Sequence, residues 1–519
     1  MILVTAGEMQ EMDRRTIETG GISGIELMEN AGRGAFRFLL DYFPEATQSN
    51  IGIIAGKGNN GGDGFVIARY LSEKGIQVTV YLLADRSTLR GDAAANYKLL
   101  APLGIPMVEL PDEKTFSKYK DDMQHVDLWV DAILGTGLRS DVRGYYRDVI
   151  HFINSLQKPI LAVDIPSGLN SDTGQPCGAC IQARATATFA FAKTGHVLQP
   201  GAAFTGSLKI VDIGIPDGIA AEIGPRQYLL TSEKIQTYFH PRKPDTHKGK
   251  TGHLLVIAGS TGKTGAAAMT AMSAMRAGAG LVSLGVPQSI NAILESRVLE
   301  AMTEPLPDIG QGKLGESAFD TIMQLAAGKQ CLALGPGLGQ AGKTRALVIR
   351  IIRESPIPMV IDADGLNNLA EDTKIVKNLD VPVILTPHPG EMARLTKTTA
   401  AAVQADRIKN AREFAIEFNV HVVLKGAATV IAHPDGSAFI NPTGNPGMAA
   451  GGMGDVLTGM IAGLVTQGFS PASAAHAGVY LHGAAADTLA ESIGPVGYLA
   501  GEVMDAIPHE IKKIVQAST

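Results

Sequence analysis

Residues 50–84 read "NIGIIAGKGNNGGDGFVIARYLSEKGIQVTVYLLA": an apolar run, a glycine cluster, a helical segment and a second apolar run. Short apolar runs bounded by glycine read as strands buried on both faces, and the amphipathic stretch between them reads as a helix. That order is the signature of a βαβ unit on a parallel sheet. The alternation continues through "RGDAAANYKLLAPLG", "VDLWVDAI", "KPILAVDI", "ATATFAFA" and "GSLKIVDI". It breaks over residues 231–252, "TSEKIQTYFHPRKPDTHKGKTG", where two prolines stand among clustered Lys, Arg and His. It then restarts with "GHLLVIAGS", a helix from Gly265, "GLVSLGVP", "QCLALGPGLG", "PMVIDADGLN", "VPVILTPHPGE" and "VHVVLKGAATVI". The expected fold is α/β with two domains, residues 1–224 and 225–519. In a chain of 519 residues each is large enough to bury its own core.

The first domain is expected to be a Rossmann-like three-layer αβα unit and the second an αβα unit on a central, mostly parallel sheet. "AVDIPSGLN" and "VIDADGLN" share the plan of a strand ending in Asp before a glycine turn, which common architecture explains without an internal repeat. Met269, Met272 and Met275 recur along the helix after Gly265 and read as core packing.

The chain is 45% hydrophobic and 18% charged with 60 glycines, a soluble, turn-rich composition. A net charge of -6 gives no reason to expect nucleic acid or an anionic membrane as partner. The start, "MILVTAGEMQEMDRR", lacks a basic n-region and a long apolar h-region, and no apolar run approaches the roughly 18–20 residues of a membrane helix. A cytoplasmic protein is expected. Three cysteines fit a reducing compartment, and Cys177 and Cys180 in "QPCGAC" read as a loop entering a strand rather than as half of a zinc site.

Two glycine clusters carry the chemistry. In "NPGMAAGGMGDVLTG", residues 445–459, three of the four positions Gly451 to Gly454 lack a Cβ, so the backbone can approach an anion at the N-terminus of the helix that follows. On spacing alone Asp455 is either an N-cap or a base beside a phosphoryl acceptor. In "AGKGNNGGDG", residues 55–64, Gly56, Gly58 and Gly61 satisfy GxGxxG after a strand, and Asp85 ends the next strand near where a ribose-binding acid would sit. A dehydrogenase therefore stands as a rival, although the extra residues of "NNGGDG" are not what such a turn needs. Asp164 is either a turn-starting residue before Ile-Pro or a reacting carboxyl at a strand end.

"GHLLVIAGSTGKTGAA", "GPGLG", "TPHPGE", "KGAATVI" and "GGMGDVLTG" together resemble the carbohydrate kinase domain of the NAD(P)HX dehydratase family, a branch of the ribokinase-like fold, from about His247 to near the C-terminus. The resemblance implies that Gly452 and Gly454 belong to an anion hole for the nucleotide and that Asp455 is the catalytic base. It further implies that Lys425, Gly426, Ala427, Ala428 and Thr429 hold the nucleotide, and that Gly337 and His388 face the hydrated dinucleotide. The resemblance implies that the C6 hydroxyl of the hydrate is phosphorylated and the phosphate expelled, with ADP, bound with Mg2+, converted to AMP and phosphate in bacterial members.

"VTAGEMQEMDRRTIETGGISGIELMENAG", "NNGGDG", "DAILGTGL", "VDIPSGL" and "FAKTGH" resemble the NAD(P)HX epimerase family over about residues 1–225. Here Asn59, Asn60, Gly61, Gly62 and Asp63, with Gly135, Thr136, Gly137 and Leu138, would cradle the dinucleotide. Asn60, Asp131 and Ser167 would hold a potassium ion, as suits oxygen donors and a hard cation. Asp164 would touch the reacting ring, with one carboxyl alternating as acid and base and Lys193 assisting electrostatically.

Hydration of the reduced cofactor yields two C6 epimers, so an epimerase joined to a stereospecific dehydratase makes repair complete. The expected protein is a bifunctional repair enzyme acting on NADHX and NADPHX, and a homo-oligomer. The alternative is a ribokinase-like small-molecule kinase with a fused dinucleotide-binding domain. A binding scaffold is disfavoured because Asn60, Asp131 and Asp164 are all present.

Overall fold

The apolar run opening the decisive stretch becomes a strand, Ile51–Ala55, with every residue buried, because it lies in the middle of a parallel sheet covered on both faces. The structure is a computed structural model and describes residues 1–516. The chain forms two compact units that part between Gln227 and Tyr228.

In the first unit seven strands form one sheet: β1 (Ile51–Ala55), β2 (Val78–Leu82), β3 (Met107–Glu109), β4 (Leu128–Ala132), β5 (Ile160–Val163), β6 (Ala185–Phe189) and β7 (Ser207–Val211). Their order is β3-β2-β1-β4-β5-β6-β7 and every neighbouring pair is parallel. Successive residues serve opposite faces, so Ile53 joins a core with Phe65, Val80 and Val130, while Ile54 joins one with Tyr81, Phe116 and Trp129. The chain leaves β1 in one direction and resumes at β4 in the other. The crevice between these two strands is a topological switch point, where open sheets place their ligands.

Three helices frame that crevice: α1 (Ala6–Glu18), α2 (Gly24–Tyr42) and α3 (Asn59–Glu73). A short parallel pair, Ile2–Val4 with Ala192–Lys193, feeds the chain into α1.

In the second unit nine strands follow one another: β8 (His253–Ile257), β9 (Leu281–Pro287), β10 (Met302–Leu306), β11 (Cys331–Leu334), β12 (Met359–Ile361), β13 (Val383–Leu385), β14 (His421–Leu424), β15 (Val430–Ala432) and β16 (Ala438–Ile440). They are ordered β10-β9-β8-β11-β12-β13-β14-β15-β16, parallel through β14 and antiparallel in the last two pairings. The sequence pattern missed β3 and β10, which lie at sheet edges and are only partly buried, so neither shows a continuous apolar run, and it missed β16, whose three residues are too few to show a pattern.

The helices that matter for the second site are α4 (Thr264–Arg276), α5 (Asp364–Leu369), α6 (Pro389–Thr396) and α7 (Met453–Thr466). Helix α7 is buried almost all round, which marks a central helix rather than a surface one. It lies against α4 and across β11 and β12. Its backbone meets α4 directly: a Cβ on Gly459 would stand 2.1 Å from the carbonyl oxygen of Thr270, and one on Gly463 2.8 Å from that of Ala274. Met269, Met272 and Met275 pack against the core beside this contact. Among the described residues no helix is long and apolar enough to cross a membrane.

Because the two backbones touch, Gly459→Ala must push α7 away from α4. We expect a loss of about 1–3 kcal/mol, the usual cost of overpacking, read as a lower denaturant midpoint with unchanged slope.

Candidate active sites

At the switch point of the first unit a cavity of about 990 Å3 opens. Its floor is the β1–α3 loop with the first turn of α3, including Asn59, Asn60 and Asp63. One wall is Gly135, Thr136, Gly137 and Leu138 after β4, and Asp164 and Lys193 reach in beyond β5 and β6. Gly61 and Gly62 do not line it. A Cβ on Gly61 would lie 2.0 Å from the carbonyl oxygen of Gly56 and one on Gly62 2.6 Å from Sδ of Met28, so these glycines let α3 sit tight on its own loop and on α2. Asp85 also stays outside: it is exposed and caps a local turn by accepting from the Ser87 amide at 2.8 Å, which removes the acid a dehydrogenase would require.

Asp164 follows β5 in the left-handed region, φ 63°, a strained placement for a residue with a Cβ. Its side chain does not turn back on its own loop. Instead Oδ1 accepts from Lys193 Nζ at 2.5 Å and from Thr188 Oγ1 at 3.1 Å. Lys193 is fully buried and its ammonium also donates to Thr188 Oγ1 and to the carbonyl of Phe189. Burial alone would raise the Asp164 carboxyl, but the Lys193 ammonium against it holds it below its ordinary value. His196 completes the frame: its Nδ1 accepts from the Lys193 amide at 3.0 Å, so Nε2 carries the proton and donates to the carbonyl of Asp164 at 3.0 Å. Burial, with the nearby Lys193 charge, keeps this imidazole neutral, down to about 3.

Beneath the cavity Asp131, at the end of β4, is wholly buried. Its oxygens accept from Ser167 Oγ at 2.6 Å, from the Ser167 amide at 2.7 Å and from the Ile133 amide at 3.2 Å. Burial pushes this carboxyl up to about 6. Asn60 donates to the Leu134 carbonyl at 3.1 Å, while its buried Oδ1 has no hydrogen-bond partner. An orphaned amide oxygen beside a buried carboxylate, a hydroxyl and a carbonyl is a donor set for a monovalent hard cation.

In the second unit Gly452, in the left-handed region at φ 91°, is the N-cap of α7 and supplies no side chain to the helix end. At this φ a residue with a Cβ would be strained, and the Cβ would also stand 3.0 Å from that of Ala500, so glycine suits the position. Asp455 is therefore not the N-cap; it stands within the first turn, where burial and the charge of Asp362 push its carboxyl up to about 6 against the pull of Lys425. Asp362 ends β12 and is buried, and its oxygens accept from Lys425 Nζ at 2.5 Å and from Thr458 Oγ1 of α7 at 2.7 Å. Lys425, at the end of β14, also lies 3.9 Å from Glu391, and the negative charges of Asp362 and Glu391 overcome burial to raise its ammonium. Gly454 faces the same pair, since a Cβ there would lie 3.4 Å from Lys425 Nζ.

The turn from Lys425 to Thr429 projects outward with Gly426 and Ala427 exposed. Buried Arg407 holds it from below, donating to the carbonyls of Leu424 at 3.0 Å, Ala428 at 3.2 Å and Ala427. His388 caps α6, its Nδ1 accepting from the Gly390 amide at 3.0 Å, so its proton sits on Nε2 on the half-exposed side. Gly337, at φ 68°, accepts from Ser260 Oγ at 2.6 Å. Asp364, at the start of α5, pairs with Lys263 at 2.8 Å and accepts from the Gly339 amide at 2.9 Å.

The sequence motifs thus mark the candidate residues but miss several of their partners: Asp362, Asp364, Lys263, Thr458, Glu391 and Arg407. Asp362 left a trace as the strand-ending aspartate of "VIDADGLN"; Asp364, Lys263, Glu391 and Thr458 lay within the quoted motifs without a role, and Arg407 lay in none of them.

A family model described as NAD(P)H-hydrate dehydratase matches residues 254–509, and one described as YjeF-related protein N-terminus matches residues 24–195. The bifunctional NAD(P)H-hydrate repair enzyme Nnr of Moorella thermoacetica is 44% identical over 515 residues, covering 99% of this chain and 97% of that protein. The bifunctional NAD(P)H-hydrate repair enzyme Nnr of Escherichia coli K12 is 36% identical over 510 residues, covering 97% and 92%. Among solved structures, the ADP/ATP-dependent NAD(P)H-hydrate dehydratase from Bacillus subtilis co-crystallized with ATP/Mg2+ is 33% identical with a TM-score of 0.47, covering 55% of this chain and 98% of that one.

Replacing Lys193 by Met leaves the Asp164 carboxylate without its counter-ion, so we expect a loss of about 3 kcal/mol at neutral pH. Unfolding of the first unit can be followed through its single tryptophan, Trp129 of β4. Adding Asp164→Asn should recover part of that loss. In the parent, Asp164 is held low, so the pair's contribution is present above the ordinary carboxylate range and is lost as pH falls through the depressed value.

Proposed function

Since this chain belongs to the bifunctional NAD(P)H-hydrate repair enzyme family, we propose that its first unit interconverts the C6 epimers of NADHX and NADPHX and that its second dehydrates the S epimer, with ADP converted to AMP and phosphate. What supports the residue assignments is one recurring observation. In each unit the assigned carboxylate stands at the carboxyl edge of the sheet with a lysine–aspartate contact and a glycine-bounded helix N-terminus: Asp164 is itself the partner of Lys193, and Asp455 lies beside the Lys425–Asp362 pair.

For dehydration, Asp455 takes the proton of the C6 hydroxyl as the phosphoryl group arrives. The open N–H groups at the start of α7 and the Lys425 ammonium take up charge developing on the transferred group. The turn from Lys425 to Thr429 holds the nucleotide, while Gly337 and His388 face the hydrate. The ring nitrogen then expels the C6 phosphate, and loss of a proton from C5 restores the reduced nicotinamide. Mg2+ neutralises phosphate charge when bound with the nucleotide.

For epimerisation, the cradle of Asn59, Asn60 and Asp63 with Gly135 to Leu138 positions the dinucleotide so that its ring meets Asp164. Asn60, Asp131 and Ser167 would hold potassium, which compensates the buried Asp131 charge and the orphaned Asn60 oxygen.

The test mixes both NADHX epimers with protein, Mg2+ and ADP and follows the reduced-nicotinamide absorbance. The parent should recover all of it. Asp164→Asn should stall after the S share, and Asp455→Asn should recover none yet still interconvert the epimers. Loss of both activities in either folded variant, or accumulation of a phosphorylated product as the kinase alternative requires, overturns the reading.

A pH profile adds a second check. A base must be ionised, so kcat/KM for the S epimer should hold above about pH 6 and fall below it as Asp455 takes up a proton.

A further inference from the structure

The epimerase cavity contains a carboxyl that the scheme above does not use. Asp13 lies on α1, and Met9, Asp13 and Ile17 line the cavity from one face of that helix, four residues apart. The helix is firmly set. Thr5 and Glu8 close a capping box at its start, the Ala6 amide donates to Asp172 at 2.6 Å, and Met9, Met12 and Thr16 are buried beneath it. Its arginines are spent elsewhere: Arg14 pairs with Glu11 and Glu18, and Arg15 with Glu11 and Glu222. The charged groups facing Asp13 from the elements packed around it are Asp63 of α3, Asp164 beyond β5 and Lys193.

These groups do not share one environment. Lys193 keeps Asp164 ionised, whereas burial, and the charge of Asp164 acting against Lys193, raise Asp13 to about 6. Asp63, buried deeper in the same cluster, is raised well above the ordinary range, chiefly by burial and then by Asp164 and Asp13. Two carboxyls whose environments drive them apart in one cavity divide the work into a base and an acid.

We infer that Asp13 is the second proton carrier of the epimerase site, giving its proton to the departing C6 hydroxyl while Asp164 takes one from the water that adds to the other face of the ring. This rests on the epimerase assignment proposed above. The steps balance. The C6–O bond breaks as the Asp13 proton converts the hydroxyl to water, and the lone pair of the ring nitrogen forms the C6=N1 bond. A second water then adds at C6, its proton passes to Asp164, and the nitrogen regains its lone pair. One water leaves and one enters, and no oxidant or reductant is needed. The turnover leaves Asp13 ionised and Asp164 protonated; Asp164 releases its proton to solvent and Asp13 takes one up, which resets the pair for the next molecule, and the opposite epimer runs the same pair in reverse.

The test uses the full-length protein without nucleotide, so that the dehydratase is idle, and follows interconversion of purified R- and S-NADHX in 18O water. We expect Asp13→Asn to lower kcat for interconversion at least 100-fold with KM changed less than threefold, within the usual range for loss of a general acid. Incorporation of 18O at C6 should fall in parallel, Asp13→Glu should restore part of the rate, and dehydration of the S epimer with ADP should stay within twofold of the parent as a check on folding. Interconversion by Asp13→Asn within threefold of the parent, or a defect confined to KM, overturns the proposal. A parent protein that does not interconvert the epimers at all would instead overturn the epimerase assignment, and this proposal with it.

Discussion

A parallel strand can be joined to its parallel neighbour only by a crossover that carries the chain back to the starting edge, so every strand of such a sheet delivers its carboxyl end to the same side. Both units obey this constraint, and the placement of the candidate groups follows from it. In the first, the carboxyl ends of β1, β4 and β5 bring Asn60 of the first turn of α3, Asp131 of β4 and Asp164 to one edge from positions spanning more than a hundred residues. In the second, the ends of β12 and β14 meet the start of α7 and assemble Asp362, Lys425 and Asp455. None of these groups is adjacent in the chain. The sheet direction makes them neighbours.

On that edge each unit has a lysine against an aspartate at 2.5 Å, Lys193 with Asp164 and Lys425 with Asp362. Such buried pairs contribute little net stability, because desolvating two ions costs about as much as their attraction returns. Their effect is on the state of neighbouring carboxyls. In the first unit the pair keeps Asp164 ionised among Asp13 and Asp63, which burial drives the other way. In the second, the aspartate of the pair raises Asp455 while the lysine tempers it, leaving a carboxyl near 6 that is ionised at neutral pH yet basic enough to accept a proton. The same device thus serves two chemistries by lying next to different carboxyls.

The legible part of this protein was local. Period and glycine punctuation located the central strands, since each is an apolar run bounded by turns, and placed the two helices that follow the glycine clusters, which begin earlier than the pattern suggests, at Asn59 and Met453, so that the glycines form their first turns. The need for glycine at Gly452 follows from backbone sterics, whereas Gly61 and Gly62, which the sequence places in the dinucleotide cradle, serve close packing instead. Edge strands β3 and β10 were invisible because partial burial erases their apolar pattern. Arg407 was invisible for another reason: its guanidinium supports a turn that begins 18 residues further along, and nothing in an isolated arginine distinguishes a buried prop from a solvated surface charge. Asp13 lay in plain view within a family-like segment, but its exposure to one cavity and its isolation from the arginines beside it are properties of the folded helix.

By itself the sequence determined what short-range forces control: two α/β units, the positions of their glycine-rich helix starts, and the identity of the carboxylates that end strands or open helices. Only the tertiary structure decided which charges meet. Whether Asp455 was a cap or a free carboxyl turned on Gly452 taking the N-cap position, and whether Asp164 was a turn residue or an ion-paired group turned on Lys193, 29 residues away. A carboxyl's protonation depends on burial and on charges within a few ångströms, and those are set by packing between segments distant in the chain, where sequence spacing carries no information.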